Sequence, residues 1–394
     1  MQNKKTLVLL FDYFYDVHFY KDVGMIPYYF HKMFGFNSTI VSYSQDKNTE
    51  EDCKGVIIKK IKKILLDPFI LYILKNSKNI DLLMMFHNKE KNYFYRKLFK
   101  FLNPQGLTYL KLDMNVYNVE KLECFYNSFI KFKDIFKLKI KFIEKIKTIK
   151  RYFLYKKIKK ELAQFDIVSI ENKIFYEKLK QILSLNNLYY IPNGFFDLDE
   201  NIPPVLSYDK KENIIITVGR IGAKEKNNKM LLNTLERIDL KDWKVYFIGP
   251  IEKEFLLKIN DFYFRFPKYK EKVFFTGEIK DRNKLYDFYN KSKVFCSTSL
   301  WESFGIAMLE AAYFGNYIIG TDTGAIQEIT NKGRLGTIIE FNNIEMLAKE
   351  LQSIINQEKN IEKYCEQIKD FCMKNFLWSN IIRILFEVIL NLKR

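Results

Sequence analysis

Regular alternation in the second half constrains this chain more than any other feature. Short apolar runs at Asn213–Val218, Lys244–Ile248, Lys272–Thr276, Val294–Thr298, Tyr317–Gly320 and Gly336–Glu340 read as buried strands. Between them Asn227–Leu235, Ile251–Asn260, Arg282–Asn290 and Gly305–Phe314 read as helices. Strands that alternate with helices build a parallel, doubly wound sheet that takes its ligands at the carboxyl ends of the strands. The first half repeats the theme more loosely, at Thr6–Phe11, Ser38–Ser42, a weak Gly55–Lys59, Asp81–Phe86, Gly106–Leu112, Phe165–Ile170 and Leu188–Ile191. The turn residues Pro192-Asn193-Gly194 separate the halves, and 394 residues suffice for two domains with a core each.

Composition narrows the class. No apolar run reaches the length needed to span a bilayer, and the opening stretch Thr6–Phe11 is too short for a secretory signal. The five cysteines (Cys53, Cys124, Cys296, Cys365, Cys372) show no metal-ligand spacing and no disulfide framework, which fits a reducing cytoplasm. The formal charge of +18 suggests a nucleic-acid binder until its distribution is read: residues 1–190 hold 35 Lys/Arg against 19 Asp/Glu, almost the whole excess. An AT-rich genome, which favours Lys, Asn, Ile, Phe and Tyr codons, accounts equally well for it.

Chemistry concentrates between Ser297 and Ala312, where a buried strand leads through a polar turn into a helix. At such a helix start the N–H groups of Ser303, Phe304 and Gly305 are unpaired donors, and with the helix dipole they make a site for an anion such as a phosphate. Glu302 and Glu310 bracket the site. An all-helical path would set them roughly 12 Å apart along the axis. The acid pair of a glycoside hydrolase needs about 5 to 9.5 Å. The wider spacing suits a ligand with hydroxyls at both ends and a phosphate in the middle, which describes a nucleotide sugar. Earlier in this half, Gly219-Arg220 closes one strand and Lys226-Asn227 opens the next helix, so both cations sit where a diphosphate accepts charge-assisted hydrogen bonds. Lys224 is an alternative for the lysine role.

Glu302-Ser-Phe-Gly-Ile-Ala-Met-Leu-Glu310 closely resembles the E-x7-E signature of family 4 glycosyltransferases, retaining enzymes of the GT-B fold. The resemblance implies that Glu302 contacts the donor-sugar hydroxyls and Glu310 the nucleotide ribose. Gly219-Arg220 and Lys226-Asn227 resemble the family's cation pair, which implies that Arg220 and Lys226 bind the donor pyrophosphate and stabilise the leaving nucleotide. Thr276-Gly277-Glu278-Ile279 resembles the segment that touches the base through backbone atoms, and Asp322-Thr323-Gly324-Ala325 a late Gly-containing turn. The resemblance is specific over the second half and only architectural over the first.

In the first half, Gly24 stands after the polar loop Asp12–Asp22 and before a helix read from Pro27 to Phe34. Glycines of the matching loop in GT-B enzymes lie near the donor phosphates, and an ordinary turn glycine is the competing reading. Asn103-Pro-Gln-Gly…Tyr109-Leu-Lys-Leu-Asp113 resembles a bacterial subgroup with Lys-Leu-Asp at the acceptor side, which makes Asp113 the candidate for positioning the acceptor hydroxyl; a helix-capping role competes. His87 ends a strand with no partner in view. Asp197-Leu-Asp199-Glu200 has the look of a metal-binding DxD but reads as solvated linker charge. Val119–Gln164 is a long helical region, strongly basic, with apolar residues on a near-helical period. Two readings stay open for it, an anionic membrane surface or a core-packed helix with a lysine face in water.

The alternation predicts a doubly wound α/β protein, and the resemblance implies GT-B architecture, with two Rossmann-like doubly wound domains facing across a cleft. Residues 1–191 form an acceptor-binding domain that carries the basic region 119–164, residues 192–376 a donor-binding domain, and 377–394 a helix that crosses back to the first. The activity that the resemblance implies is that of a retaining hexosyltransferase. It moves a sugar from a nucleoside diphosphate donor, UDP-sugars first, to a hydroxyl of a glycan, glycolipid or lipid-linked acceptor in bacterial surface polysaccharide or glycoconjugate synthesis. No metal, cofactor or nucleic acid is expected, and the expected setting is the cytoplasm, with or without peripheral attachment to the plasma membrane. The alternative is an inactive GT-B scaffold that binds nucleic acid or anionic membrane through its basic half.

Overall fold

Apolar runs become parallel strands in both halves, and the helices between them cover the sheets. The computed structural model describes residues 4–63, 65–132, 142–199 and 201–392. The chain divides into two units, one of Met1–Asn193 with Trp378–Arg394 and one of Gly194–Leu377, so the division falls inside the Pro-Asn-Gly turn.

Unit 1 holds strands β1 (Thr6–Leu10), β2 (Asn37–Ser44), β3 (Thr49–Cys53), β4 (Val56–Lys62), β5 (Leu82–Phe86), β6 (Leu107–Lys111), β7 (Ile167–Ile170) and β8 (Leu188–Tyr190). Their order is β3-β4-β2-β1-β5-β6-β7-β8, parallel except for the β3–β4 pair. The helices are α1 (Asp16–Phe19), α2 (Asp22–Phe34), α3 (Pro68–Asn76), α4 (Glu90–Leu102), α5 (Val116–Lys131), α6 (Phe142–Leu162) and α7 (Lys173–Leu183). Because strand side chains alternate between faces, Val8, Leu10, Leu83 and Met85 join one core with α3 to α7, while the equally buried Leu7, Leu9, Leu82 and Met84 point to the other face.

Unit 2 holds β9 (Glu212–Val218), β10 (Lys244–Ile248), β11 (Val273–Gly277), β12 (Ser292–Ser297), β13 (Tyr317–Thr321) and β14 (Gly336–Ile339), all parallel, in the order β11-β10-β9-β12-β13-β14. Its helices are α8 (Asn228–Leu235), α9 (Lys253–Arg265), α10 (Arg282–Lys291), α11 (Ile306–Tyr313), α12 (Ile326–Ile329), α13 (Ile344–Ile355) and α14 (Glu362–Asn375). The last helix, α15 (Trp378–Leu392), returns to unit 1 and packs on α2, where Phe386 stacks on Phe34 at 3.9 Å between ring centroids.

Four details depart from the sequence reading. Strand β3 was not expected; it is an acidic edge strand joined to the basic β4 by a turn at Lys54 and Gly55. Helix α2 begins at Asp22 rather than Pro27, because burial of Val23, Met25 and Ile26 outweighs the missing Pro27 N–H. Gly24 therefore lies in the first turn of α2, and its missing Cβ is required by the Phe19 carbonyl, which a Cβ would approach to 2.3 Å. Asp199 is buried instead of solvated, because the chain after the turn folds against α10; it accepts hydrogen bonds from Asn201 N at 3.2 Å and from the Tyr286 hydroxyl at 3.5 Å. The basic region is two helices, α5 and α6, and its members Ile135, Phe136, Leu138 and Ile140 lie outside the described residues.

Candidate functional site

In unit 2 the chain starts at β9, builds outward to β11, then returns to the opposite side of β9 with β12. The loops after β9 and β12 therefore diverge at the topological switch point, where an open α/β sheet binds its ligand. The two loops are also tied together. Leu300 N donates to Glu225 O at 2.7 Å, and the Thr298 hydroxyl donates to the carbonyls of Lys226 at 3.2 Å and Asn227 at 3.0 Å.

Between the loops, Lys226 Nζ lies 2.5 Å from Glu302 Oε1, and the Ser299 hydroxyl donates to the same oxygen at 2.8 Å. Glu302 N in turn donates to Thr323 Oγ1 at 3.0 Å, and Ala325 N to Phe304 O at 2.7 Å, so the late turn buttresses the Glu302 loop from behind. Gly324 makes this contact close: a Cβ there would stand 2.5 Å from Phe304 O and 2.8 Å from Glu302 Cβ. Gly305 caps α11, and among the described residues no protein acceptor takes the N–H groups of Ser303, Phe304 or Gly305. Arg220 also ends β9, but its exposed guanidinium bonds to Glu225.

Glu310 occupies the second turn of α11 and is buried. Helicity begins only at Ile306, so the all-helical separation of Glu302 and Glu310 does not apply. Burial of the Glu310 carboxylate calls for a counter-ion. Arg282, the first residue of α10, supplies it: Nη2 donates to Glu310 Oε1 at 2.6 Å and to the Tyr286 hydroxyl at 3.1 Å. Burial opposes the Arg282 charge, yet Glu310 and Tyr286 hold its pKa above the ordinary guanidinium value. Sequence reasoning placed no role on Arg282, since an arginine opening a helix looks the same whether it faces water or a buried acid. Ile279, after β11, is half-buried against the unit 2 core.

In unit 1 the analogous switch lies between β1 and β5. His87 after β5 and Asp113 after β6 both adopt left-handed backbone, and His87 Nδ1 sits 3.8 Å from Asp113 Oδ2. Burial lowers the His87 pKa, and the Asp113 carboxylate works against that shift. Asp12 after β1 is bridged by Lys89 at 2.8 Å and by Lys91. Behind this edge is a buried cluster that the sequence did not disclose. Lys111 Nζ, fully buried, lies 3.6 Å from Asp22 Oδ2, and Glu171 accepts from Met114 N at 3.1 Å. The other Glu171 oxygen has no hydrogen-bond partner among the described residues. Burial pushes the Glu171 carboxyl up to about 8, with Lys111 pulling the other way. Among the described residues no three His, Cys, Asp or Glu side chains gather as a metal site requires.

With this geometry in view, residues 199–371 match the family model described as "Glycosyl transferases group 1". Over 233 residues the chain is 27% identical to the capsular polysaccharide biosynthesis glycosyltransferase CapM of Staphylococcus aureus, covering 55% of this chain and 59% of that one. Over 224 residues it is 25% identical to an alpha-1,4-N-acetyl-D-galactosaminyltransferase of Campylobacter jejuni, named for a diNAcBac-PP-undecaprenol-linked glycan, covering 55% of this chain and 56% of that one. The chain spans about half the length of the curated relatives it matches. In fold it is similar to HepE of Anabaena, solved in complex with UDP-glucose, at a TM-score of 0.68 and 12% identity over 98% of this chain and 99% of that one. The architecture is GT-B.

Proposed function

Taking residues 199–371 as a domain of the glycosyl transferases group 1, we propose that this protein is a retaining glycosyltransferase. It moves a sugar from a nucleoside diphosphate donor to an acceptor hydroxyl. The observation that carries the reading is the Lys226–Glu302 pair at the switch point, beside the open N–H groups of Ser303, Phe304 and Gly305. Lys226 and Arg220 are each held by a carboxylate, Glu302 and Glu225, and an entering diphosphate exchanges those partners for its own oxygens. Glu302, released, accepts hydrogen bonds from sugar hydroxyls. Glu310, fixed by Arg282, accepts from the ribose.

In the reaction the anomeric carbon loses its bond to the β-phosphate oxygen and gains one to the acceptor oxygen on the same face. The acceptor proton passes to the departing phosphate. Charge that develops on the diphosphate meets Lys226, Arg220 and the start of α11, so these groups act in the transition state without a metal. UDP as the nucleotide takes support from the likeness to HepE, and a lipid-linked or glycan acceptor from the Campylobacter relative. Asp113, with His87, positions the acceptor hydroxyl. Five free cysteines suit a cytoplasmic setting.

A thermal-shift panel of UDP-, GDP-, ADP- and CDP-sugars, with EDTA and with Mg²⁺, tests this. Ligand that binds only the folded state raises the melting temperature by mass action. The expected result is a metal-independent shift with UDP-sugars, abolished in Lys226→Ala and in Glu310→Ala. Absence of a shift with every donor in both buffers overturns the reading.

A further inference from the structure

Helix α6 has two apolar faces, and the fold uses one. Thr148, Tyr155 and Leu162, seven residues apart, are its buried positions, and the Tyr155 hydroxyl donates to Ile182 O at 2.6 Å. On the opposite side Phe142, Ile146, Ile149 and Phe153 follow one another at steps of four, three and four, which sets them in a single stripe. Three of these are largely in water, Phe142 at 77%, Ile146 at 50% and Phe153 at 61% of full exposure, and Ile143 beside them at 65%. Helix geometry places Lys145 and Lys156 along one margin of the stripe, and Lys150 and Lys157 along the other. Lys157 is bonded to Glu90.

An apolar stripe left in water needs a partner, and its margins state the charge of that partner. Phe142–Leu162 carries eight Lys/Arg against two Glu. Two copies meeting along this face would oppose like charges. An anionic lipid surface offers both things the face lacks, a hydrocarbon boundary for the stripe and phosphates for its margins. The stripe spans roughly 16 Å, enough for a helix lying in the interface plane.

We propose that the outer face of α6 docks the protein on an anionic membrane, with Phe142, Ile146 and Phe153 entering the headgroup boundary and Lys145, Lys150 and Lys156 meeting lipid phosphates. The inference uses none of the donor-site residues and goes beyond the reading above by assigning a surface and its partner.

Co-sedimentation with vesicles of phosphatidylcholine, alone or with about one-third phosphatidylglycerol, tests it. Wild type is expected to sediment with the anionic vesicles only. The Phe142→Ser/Ile146→Ser/Phe153→Ser variant is expected to bind at least ~10-fold more weakly with a melting temperature close to wild type, because the replaced side chains are half or more in water and, among the described residues, only Phe153 touches neighbouring rings, those of Phe132 and Tyr152. Lys145→Ser/Lys150→Ser is expected to weaken binding and flatten its salt dependence. Equal sedimentation of wild type and triple variant, or none of the wild type, overturns the proposal. So does a wild-type dimer that dissociates in the triple variant, since the face then belongs to a second copy. Vesicle binding without a donor-induced shift defeats the glycosyltransferase reading alone, and the converse defeats only the docking.

Discussion

Arg282→Met isolates the buried ion pair behind the donor site. Arg282 Nη2 and Glu310 Oε1 stand 2.6 Å apart with side chains 20% and 9% exposed. At that distance and an effective dielectric of about 20, the attraction is roughly 6 kcal/mol before either ion's desolvation is counted. Removing one partner of such a pair typically destabilises by about 3 to 5 kcal/mol, because the other charge is left buried. The lower end applies here, since Arg282 keeps some water, so a loss of about 3 kcal/mol in unit 2 is expected at pH 7. Urea unfolding followed by tryptophan fluorescence reads it, with Trp243 and Trp301 both in unit 2. A second arm fixes the cause. Arg282→Met/Glu310→Gln should recover more than half of the loss at pH 7. A deficit under about 1 kcal/mol, or a double variant no better than the single one, refutes the counter-ion argument.

Two further outcomes are expected. Gly324→Ala should destabilise unit 2 by about 2 to 4 kcal/mol, because the residue has φ +59° and a Cβ there would strike Phe304 O; urea unfolding checks this, and a neutral effect rejects the close packing behind Glu302. Glu171→Gln should flatten the pH dependence of unit 1. Its folded pKa of about 8 lies above the unfolded value, so its contribution to stability is present at low pH and is lost as pH rises toward 8. Melting curves from pH 5 to 8.5 should therefore fall more steeply in wild type than in the variant, and parallel curves would falsify the assignment.

The six strands of unit 2 were legible because each is a short apolar run bounded by turn residues, and their observed ends differ from the reading by at most two residues. Strand β3 was not: Thr49–Cys53 is acidic and largely exposed, and it is a strand through its antiparallel backbone pairing with β4, across which Glu50 and Glu51 meet Lys59 and Lys60. Pro27 misplaced the start of α2, since a proline marks a helix start only when tertiary burial does not extend the helix past it. At the site, Glu302 and Lys226 could be named from local motifs, but their contact joins residues far apart in the chain, and only the strand order brings it about. Arg282, Asp22 and Glu171 had no local signal, and Lys111 stood in the Lys-Leu-Asp motif with nothing to say that it is buried. Charged residues at element ends are ordinary in solvent, and what distinguishes these is burial.

The return of α15 to unit 1 bears on how the protein is made. Trp378, Ile381, Ile382, Leu385 and Ile389 are buried, and Phe386 closes over Phe34 with Phe30 and Phe36 around it. During synthesis the aromatic patch on α2 emerges from the ribosome early and stays uncovered until all of unit 2 has been translated. A nascent chain that stalls or is truncated before Trp378 thus carries a finished second unit beside a first one with a greasy wound. Chaperone occupancy should accordingly persist through the whole synthesis of unit 2 and fall only after the final helix has joined unit 1.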